Sequence, residues 1–171
     1  MAKMMLDYGS GSKPKKGFKT SDFTGAPFLD YHIENLKVID AEDHSFDVIW
    51  CRNVIHHIPE HQLDDLFTEF DRLLKRNGHL IISEPRADKH MQNLILDIIW
   101  YRFLTSDFKI TLPQLGVNFR DYIPGNFVSK TSYWERGNNE VFVFEKVSEV
   151  ITFPVTVNQH GSNVLLTKRN A

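Results

Sequence analysis

The sequence predicts an α/β fold with an open, mainly parallel sheet, helices on its faces and an antiparallel strand pair at its C-terminal edge. Short apolar segments alternate with turns and with one clear helical pattern, as expected for parallel strands joined by crossovers. The first apolar segment, Met4–Leu6, runs directly into a glycine turn, and two later ones end at Asp22 and Asp40. These strand ends predict a ligand crevice along one edge of the sheet.

Length and composition are those of a single globular domain. The 171 residues include 42% apolar and 25% charged side chains, which is enough for one sizeable core. We therefore predict one domain over residues 1–171, within which 87–139 forms a variable lid or substrate segment. The thirteen Phe leave a homodimer open, because some of them could be buried between subunits.

Charge, hydropathy and cysteine content exclude several classes of protein. The net charge of −2 provides no overall field that would attract nucleic acid, so we expect no nucleic-acid partner. No apolar stretch reaches the length of a membrane span and the N-terminus lacks a signal-peptide pattern, so we expect a cytoplasmic protein without a membrane partner. The single cysteine, Cys51, excludes an internal disulfide and favours a buried core residue over a nucleophile.

Each predicted strand is a short apolar run bounded by polar or turn residues. After the first strand, the predicted strands are Phe18–Phe23, Leu36–Ile39, Phe46–Cys51, His79–Ser83, Glu140–Lys146 and Asn163–Lys168. The last two are expected to form the antiparallel edge pair, because they lie close together in the chain with Gly161 between them. The segment Thr105–Asn139 is expected to be irregular, since prolines and glycines interrupt it.

Two helices are predicted. The first follows Pro59, because apolar residues recur at helical spacing and Asn77–Gly78 supplies a stop. Its apolar positions are Leu63, Leu66, Phe67, Phe70, Leu73 and Leu74. The second is predicted over Lys89–Leu104 from its length and apolar content.

The residues at the strand ends predict a nucleoside site. Gly9 and Gly11 would let the backbone approach a ligand, and a carboxylate at the end of the second strand, Asp22, can accept both ribose hydroxyls. The same crevice is expected to receive Asp7, Asp40 and the segment Asp47–Pro59. Taken alone, the Gly-x-Gly turn is equally consistent with an ordinary tight turn, because a third glycine at the dinucleotide spacing is missing.

Together these segments resemble the class I methyltransferases that use S-adenosyl-L-methionine (SAM), over Met5 to Arg86. Leu6-Asp7-Tyr8-Gly9-Ser10-Gly11 resembles the family's glycine loop beneath the amino-acid part of SAM, and Asp22 stands at the ribose-binding acid. Ser45–Ile49 with Val54–Pro59 resembles the fourth motif, and Leu73–Leu80 resembles the following helix, turn and fifth strand. The resemblance implies a Rossmann-like sheet with SAM as the cofactor. The cofactor-binding residues that it implies are Asp7, Gly9, Ser10, Gly11, Asp22, Asp40, Ala41 and Asn53.

The chain departs from the family between the first and second strands. The family has a full helix there, whereas only Ser12–Lys19 is available and it contains Pro14 and Gly17. We therefore expect that helix to be absent, as in a short subfamily with a truncated class I architecture. The sequence also begins at the first strand, so we expect the site either to be unusually open or to be closed by Lys89–Asn139 or by a partner subunit.

Two histidines lie near the position that the resemblance gives to the methyl group. His56 and His57 are the candidate catalytic bases, because histidine titrates near neutral pH. The alternative is that both side chains pack or bond to the backbone. Their adjacent positions before Pro59 lack the helical spacing of a zinc site, so no metal is expected.

Three other groups have both a functional and a structural interpretation. Glu84 and Arg86 could face the acceptor or cap a helix. The aromatic residues that could form an acceptor wall, or belong to the core or surface, are Tyr122, Phe127, Tyr133 and Trp134. The lysines interpreted as a solvated loop, with phosphate or substrate contact as the alternative, are Lys13, Lys15, Lys16 and Lys19.

The sequence thus predicts a SAM-dependent methyltransferase with an unidentified acceptor, which we expect to be a small molecule. The alternative is a non-catalytic SAM-binding or structural subunit that needs a partner. A third possibility, an NAD-dependent oxidoreductase, is disfavoured because the third glycine of the dinucleotide fingerprint is missing.

Overall fold

The computed structural model describes residues 2–34, 38–85, 118–135 and 139–147. Its strands and α-helix, in chain order, are β1 (Met5–Tyr8), β2 (Lys19–Asp22), β3 (Tyr31–Glu34), β4 (Val38–Ile39), β5 (Phe46–Arg52), α1 (Leu63–Leu73), β6 (Leu74–Pro85), β7 (Phe127–Trp134) and β8 (Asn139–Lys146). Short 3₁₀ turns occur at Ile55–His57, Glu60–Gln62 and Phe119–Tyr122. In these ranges no helix is long and apolar enough to cross a lipid bilayer.

The eight strands form one sheet in the order β4-β3-β2-β1-β5-β6-β8-β7. The five strands β3, β2, β1, β5 and β6 are parallel, whereas β4 at one edge and β8 with β7 at the other pair antiparallel to their neighbours. This confirms the predicted open Rossmann-like sheet with an antiparallel C-terminal edge pair. The chain passes from β1 to β2 on one side and later places β5 on the other side, so the switch point of the sheet lies between β1 and β5.

The predicted third strand needs a correction. Leu36–Ile39 was expected to be a parallel strand, but the described part of it, Val38–Ile39, is β4 and pairs antiparallel with β3. The parallel third strand is instead Tyr31–Glu34. Only one of its four residues is buried, so its sequence shows a weak apolar pattern. Because β4 runs in the opposite direction, its carboxyl end points away from the carboxyl ends of β1, β2 and β5.

The C-terminal edge pair also differs from the prediction. The strand β8 confirms the predicted strand Glu140–Lys146, but the segment paired with it on the outer side is β7, within a stretch expected to be irregular. Seven of the eight residues of β7 are exposed, so its sequence lacks the alternation that marks a half-buried strand. The predicted helix Lys89–Leu104 and the predicted strand Asn163–Lys168 lie outside the described residues.

The helix α1 packs on one face of the sheet. The Phe70 ring lies edge-on to Tyr8 of β1, with 4.9 Å between ring centroids. The strand residues that are fully buried on this face are Leu6, Tyr8, Ile49, Cys51, Leu80 and Ile82. The helix ends at Leu73, earlier than the predicted stop at Asn77–Gly78. Asn77 and Gly78 instead form a turn within β6, where Asn77 has a φ of 64°.

The connection between β1 and β2 contains turns and no helix. Residues 9–18 are all described, and the absence of a helix there matches the expectation from Pro14 and Gly17. The 10-residue connection therefore folds back along the carboxyl end of β1.

Candidate functional site

A crevice of about 540 Å³ lies at the carboxyl ends of β1 and β5, at the switch point of the sheet. The residues that line it are Asp7, Gly9, Ser10, Lys13, Lys15, Trp50, Arg52, Asn53 and Glu135. Four of the predicted cofactor residues, Asp7, Gly9, Ser10 and Asn53, are therefore brought together here.

The glycine turn is packed directly against the segment that follows β5. Gly9 has a φ of +72°, and a Cβ added to it would lie 2.3 Å from Cγ2 of Val54. The backbone N–H groups of Gly9 and Ser10 both donate to the carbonyl oxygen of Ser21, at 2.9 Å each. Only glycine fits this position without displacing Val54, so the first glycine of the Gly-x-Gly turn is required for steric reasons.

The hydroxyl of Ser10 is a free polar group in the crevice wall. Ser10 is buried, and its Oγ has no hydrogen-bond partner among the residues that the structure describes. A buried hydroxyl without a partner costs free energy, so a polar ligand atom in the crevice would relieve that cost.

The carboxylate of Asp22 anchors the glycine loop. Its Oδ2 accepts the backbone N–H of Gly11 at 2.7 Å, and its Oδ1 accepts that of Thr24 at 3.0 Å. Each carboxylate oxygen has two lone pairs, so both oxygens retain the capacity to accept a bond from a ligand hydroxyl. Asp22 and Gly11 are thus joined beside the crevice without being part of its immediate lining.

Asp7 and Lys15 connect the two sides of the crevice. The Asp7 Oδ2 accepts the backbone N–H of Lys15 at 2.7 Å, and the Lys15 Nζ lies 3.3 Å from the ring centroid of Trp50. Burial raises the pKa of Asp7, although the Lys15 N–H and charge partly oppose that shift. Desolvation lowers the pKa of Lys15, and the nearby carboxylates of Asp7 and Glu135 oppose that shift.

The lysines that were predicted to form a solvated loop have different surroundings. Lys13 and Lys15 line the crevice although both are exposed, whereas Lys19 pairs with Asp30 at 2.7 Å on the surface. Glu135 was not predicted to lie in the site. Lys13 and Lys15 had ligand contact only as the alternative interpretation, and Trp50 and Arg52 were expected there only as part of the segment Asp47–Pro59. Strand alternation could have identified Trp50, because it points to the face opposite Ile49 and pairs in register with Asp7.

Asp7→Asn is expected to raise the free energy of unfolding at neutral pH. The pKa of Asp7 is higher in the folded chain, so the folded state binds more protons and stability falls as pH rises through that window. Asparagine removes this cost, and its side-chain oxygen can still accept the Lys15 N–H. Urea unfolding should give the variant a higher free energy of unfolding than wild type at pH 7. This difference should disappear below the ordinary aspartate pKa of 3.8. A variant less stable than wild type at pH 7 would contradict this.

Asn53 is held in a left-handed conformation by a network of polar side chains. Its φ is 55°, and its backbone N–H donates to the Ser83 carbonyl oxygen at 2.9 Å. The buried Asn139 donates from Nδ2 to the Asn53 Oδ1 at 2.7 Å and to the Ser83 Oγ at 3.1 Å. The Ser83 Oγ in turn donates to the Glu135 Oε2 at 3.1 Å. Residues from β6 and β8 therefore fix the crevice wall at Asn53.

The turn after Asn53 is held by Glu84 at the end of β6. The Glu84 Oε1 accepts the backbone N–H groups of Val54 and Ile55, at 2.8 and 2.9 Å. Its Oε2 lies 2.5 Å from Nδ1 of His56. Both side chains of this pair are buried, with 7% and 8% exposure. Glu84 thus caps the turn that precedes α1, whereas the sequence suggested an acceptor contact or a cap on the next helix.

Asp40 and Ala41 are not brought to the crevice. They follow β4, which lies at the edge of the sheet three strands from β1, and neither is among the residues that line the crevice. There the Ala41 carbonyl oxygen accepts a bond from Nη1 of Arg72, at the end of α1. The prediction that both residues bind the cofactor assumed that they follow a parallel strand, whereas β4 pairs antiparallel with β3.

The predicted aromatic wall is not assembled as one surface. Phe127 is buried, Tyr133 and Trp134 are 49% and 46% exposed on β7, and Tyr122 donates to the Glu60 Oε1 at 2.6 Å.

Cys51 is part of the core, as its sequence context indicated. It is fully buried, and burial together with the carboxylates of Glu84 and Asp7 raises the pKa of its thiol. We expect the thiol to resist alkylation by iodoacetamide in the native protein and to react fully in denaturant. Rapid stoichiometric labelling of the native protein would contradict this placement.

Residues 3–82 match a protein family described as a methyltransferase domain. No curated protein matches the chain at a significant level. The fold is similar to that of a protein from Pyrococcus horikoshii, at 14% identity and a TM-score of 0.60, over 85% of this chain and 82% of the other.

Two further solved structures carry functional names. A SAM-dependent methyltransferase from Methanosarcina mazei is 16% identical, with a TM-score of 0.56 over 86% of this chain and 93% of that one. The 1,6-didemethyltoxoflavin-N1-methyltransferase of Burkholderia thailandensis is 16% identical, with a TM-score of 0.54 over 85% of this chain and 72% of that one. Its structure contains 1,6-didemethyltoxoflavin and S-adenosylhomocysteine. At these identities the similarity concerns the fold.

Proposed function

We propose that the chain is a class I methyltransferase that transfers a methyl group from SAM to a small-molecule acceptor. The match of residues 3–82 to a methyltransferase domain and the fold that the chain shares with a SAM-dependent methyltransferase support this proposal. The observation that carries this proposal is the crevice at the switch point, because it combines the steric requirement at Gly9 with the unpartnered hydroxyl of Ser10. The crevice volume of about 540 Å³ is within the usual range for small-molecule sites.

The residues present fit SAM. Gly9 and Ser10 would contact its amino-acid part, and Asp22 would accept the ribose hydroxyls with the oxygen lone pairs left over from the loop. The lining combines the carboxylates of Asp7 and Glu135 with the cations of Lys13, Lys15 and Arg52, which suits an amino acid that carries both an ammonium and a carboxylate. Asn53 lines the crevice together with Trp50 and Arg52 at the end of β5. Asp40 and Ala41 are left out of the proposed site because they follow the edge strand β4 and do not line the crevice.

The protein's contribution to the reaction would be mainly geometric. SAM supplies a methyl group on a positively charged sulfur, and holding the acceptor in line with that methyl provides much of the rate. The hydrogen bonds that Asn139 donates to Asn53 and Ser83 hold the crevice wall in place, as a pre-organised site requires. A small-molecule acceptor is further supported by the Burkholderia thailandensis enzyme, whose structure contains bound 1,6-didemethyltoxoflavin and S-adenosylhomocysteine.

The experiment that tests this function is transfer of isotope-labelled methyl from SAM to pools of small molecules bearing hydroxyl, amine, thiol or carbon nucleophiles. We expect equal amounts of S-adenosylhomocysteine and one methylated product. Gly17→Ala is the matched control for any loop variant, because it also changes a positive-φ glycine but its new Cβ meets no atom within 4 Å. Tight SAM binding with no turnover on any pool would instead favour a non-catalytic SAM-binding subunit.

A further inference from the structure

Two aromatic rings lie close to the ammonium group of Lys15. Its Nζ is 3.3 Å from the ring centroid of Trp50 and 5.3 Å from that of Phe18. Both distances are within the roughly 6 Å over which an aromatic face attracts a cation. Because Lys15 and Trp50 both line the crevice, this contact lies inside the proposed SAM site.

Pairing with the acidic residues of the crevice does not explain the position of this ammonium. Asp7 accepts the backbone N–H of Lys15, and Glu135 accepts the hydroxyl of Ser83. Within the described ranges, no hydrogen bond or ion pair joins the Lys15 Nζ to a carboxylate. The two rings are therefore the direct contacts that the structure gives to this cation.

A sulfonium is better suited to these rings than a lysine ammonium. The ammonium is a compact, strongly hydrated charge, and desolvation lowers the pKa of Lys15. A sulfonium carries three carbon substituents and has no N–H group that must keep a hydrogen-bond partner. It therefore loses less by leaving water, as do the quaternary ammonium ligands that aromatic cages bind.

The strand order would bring the sulfonium of SAM to the same rings. In the proposed site the ribose would bind at Asp22, after β2, and the amino-acid part at Gly9, after β1. The sulfur joins these two parts, so it would lie near the end of β1. Trp50 belongs to β5, the neighbour of β1 on the side opposite β2, and it pairs in register with Asp7.

We propose, as an extension of the proposed function and resting on it, that the rings of Trp50 and Phe18 form a cation site for which Lys15 and the sulfonium of SAM compete. Trp50 thereby favours SAM over S-adenosylhomocysteine, whose sulfur is uncharged. Lys15 favours release of the product, because a neutral sulfur does not compete with it for the rings. The displaced ammonium would join the other cations of the lining that suit the carboxylate of SAM.

Trp50→Leu tests the cation site with two ligands that differ in charge. SAM and S-adenosylhomocysteine differ by one methyl group and by the positive charge on sulfur, so the attraction between ring and charge affects only SAM. In calorimetric titrations of the full-length protein, we expect Kd for SAM to rise about 3- to 30-fold, the range for a cation–π contact. Kd for S-adenosylhomocysteine should change by less than about twofold. Trp50→Phe keeps an aromatic face and should restore most of the affinity for SAM.

Lys15→Ala tests the competition, and it retains the backbone N–H that donates to Asp7. The probes are methylthioadenosine and its S-methylated sulfonium form, which lack the amino-acid part and so make no carboxylate contact. We expect the variant to bind the sulfonium probe at least about threefold more tightly than wild type, with little change for methylthioadenosine. Lys13→Ala is the matched control, because it removes the same charge from the crevice lining and no described aromatic ring contacts its ammonium. It should give a smaller gain.

Proton NMR of the wild-type protein observes the competition directly. The ring current of Trp50 should shift the signals of the Lys15 ε-protons upfield, and Lys15→Ala assigns these signals. The sulfonium probe should return them toward their ordinary position, whereas methylthioadenosine should leave them shifted. Neither this measurement nor the Lys15→Ala titration depends on whether Trp50→Leu folds.

Failure of the cation site and failure of the proposed function give different results. Wild-type protein that binds neither SAM nor S-adenosylhomocysteine contradicts the function, and the cation site falls with it. If both ligands bind but Trp50→Leu weakens them by the same factor, the function stands and the cation site is wrong. Equal effects of Lys15→Ala and Lys13→Ala on the sulfonium probe, or Lys15 signals that do not respond to it, would also overturn the competition.

Discussion

Gly9→Ala is expected to weaken SAM binding by at least about tenfold and to lower the free energy of unfolding by about 2–5 kcal/mol. The new Cβ would lie 2.3 Å from Cγ2 of Val54, and the φ of +72° is unfavourable for any residue with a side chain. Val54 is β-branched and buried, so it cannot rotate away, and the loop must shift relative to the crevice. Calorimetric titration with SAM and urea unfolding measure the two effects.

Two further variants separate backbone strain from steric contact. Gly17→Ala introduces the same kind of strain at a φ of +86° with no atom within 4 Å of its Cβ, so it should cost stability without weakening SAM binding as strongly. Adding Val54→Ala to Gly9→Ala removes the contacted methyl groups and should restore part of the affinity, although Val54→Ala alone creates a cavity. If Gly9→Ala bound SAM as tightly as wild type, the glycine loop would not be the cofactor site.

Asp22→Ala is expected to weaken SAM binding by about 1.5–3 kcal/mol, the range for hydrogen bonds to a charged group. This corresponds to roughly a tenfold to 150-fold increase in Kd. Two causes contribute, because the carboxylate would bind the ribose hydroxyls and already holds the N–H groups of Gly11 and Thr24. Isothermal titration of the folded variant measures the sum.

A ribose-modified ligand resolves these two causes. A SAM analogue without ribose hydroxyls should bind wild-type protein more weakly than SAM and should lose little further affinity with Asp22→Ala. If the variant instead weakened SAM and the analogue by the same factor, Asp22 would act through the glycine loop and the ribose contact would lie elsewhere.

Local patterns were sufficient to predict the elements that position the site. The run into Gly9, the carboxylate at the end of β2 and the helical spacing of α1 are each determined within about ten residues. The direction of β4 was not predictable in this way, because it depends on pairing between Ile33 and Ile39 and not on the sequence of β4 itself. The expectation that Asp40 and Ala41 lie in the crevice depended on that direction, and neither residue is among those that line it.

The remaining site residues come from distant parts of the chain. Asn139 reaches Asn53, and Glu135 reaches Ser83, only because β7 and β8 join the sheet beside β6. The exposed sequence of β7 gave no strand pattern. The contact between Glu84 and His56 spans 28 residues and depends on β5 and β6 being neighbours. Parallel register, and not spacing along the chain, brings these side chains together.

We expect the crevice between β1 and β5 to bind SAM. Calorimetric titration of the purified protein with SAM, S-adenosylhomocysteine and NAD tests it most directly, with Gly17→Ala and Gly9→Ala titrated in parallel. We predict micromolar binding of SAM and S-adenosylhomocysteine to wild type and to Gly17→Ala, a clear loss in Gly9→Ala, and no binding of NAD. Binding of NAD in preference to SAM would contradict the assignment of SAM as the cofactor. Equal affinity of all three proteins for SAM would contradict binding at the glycine loop.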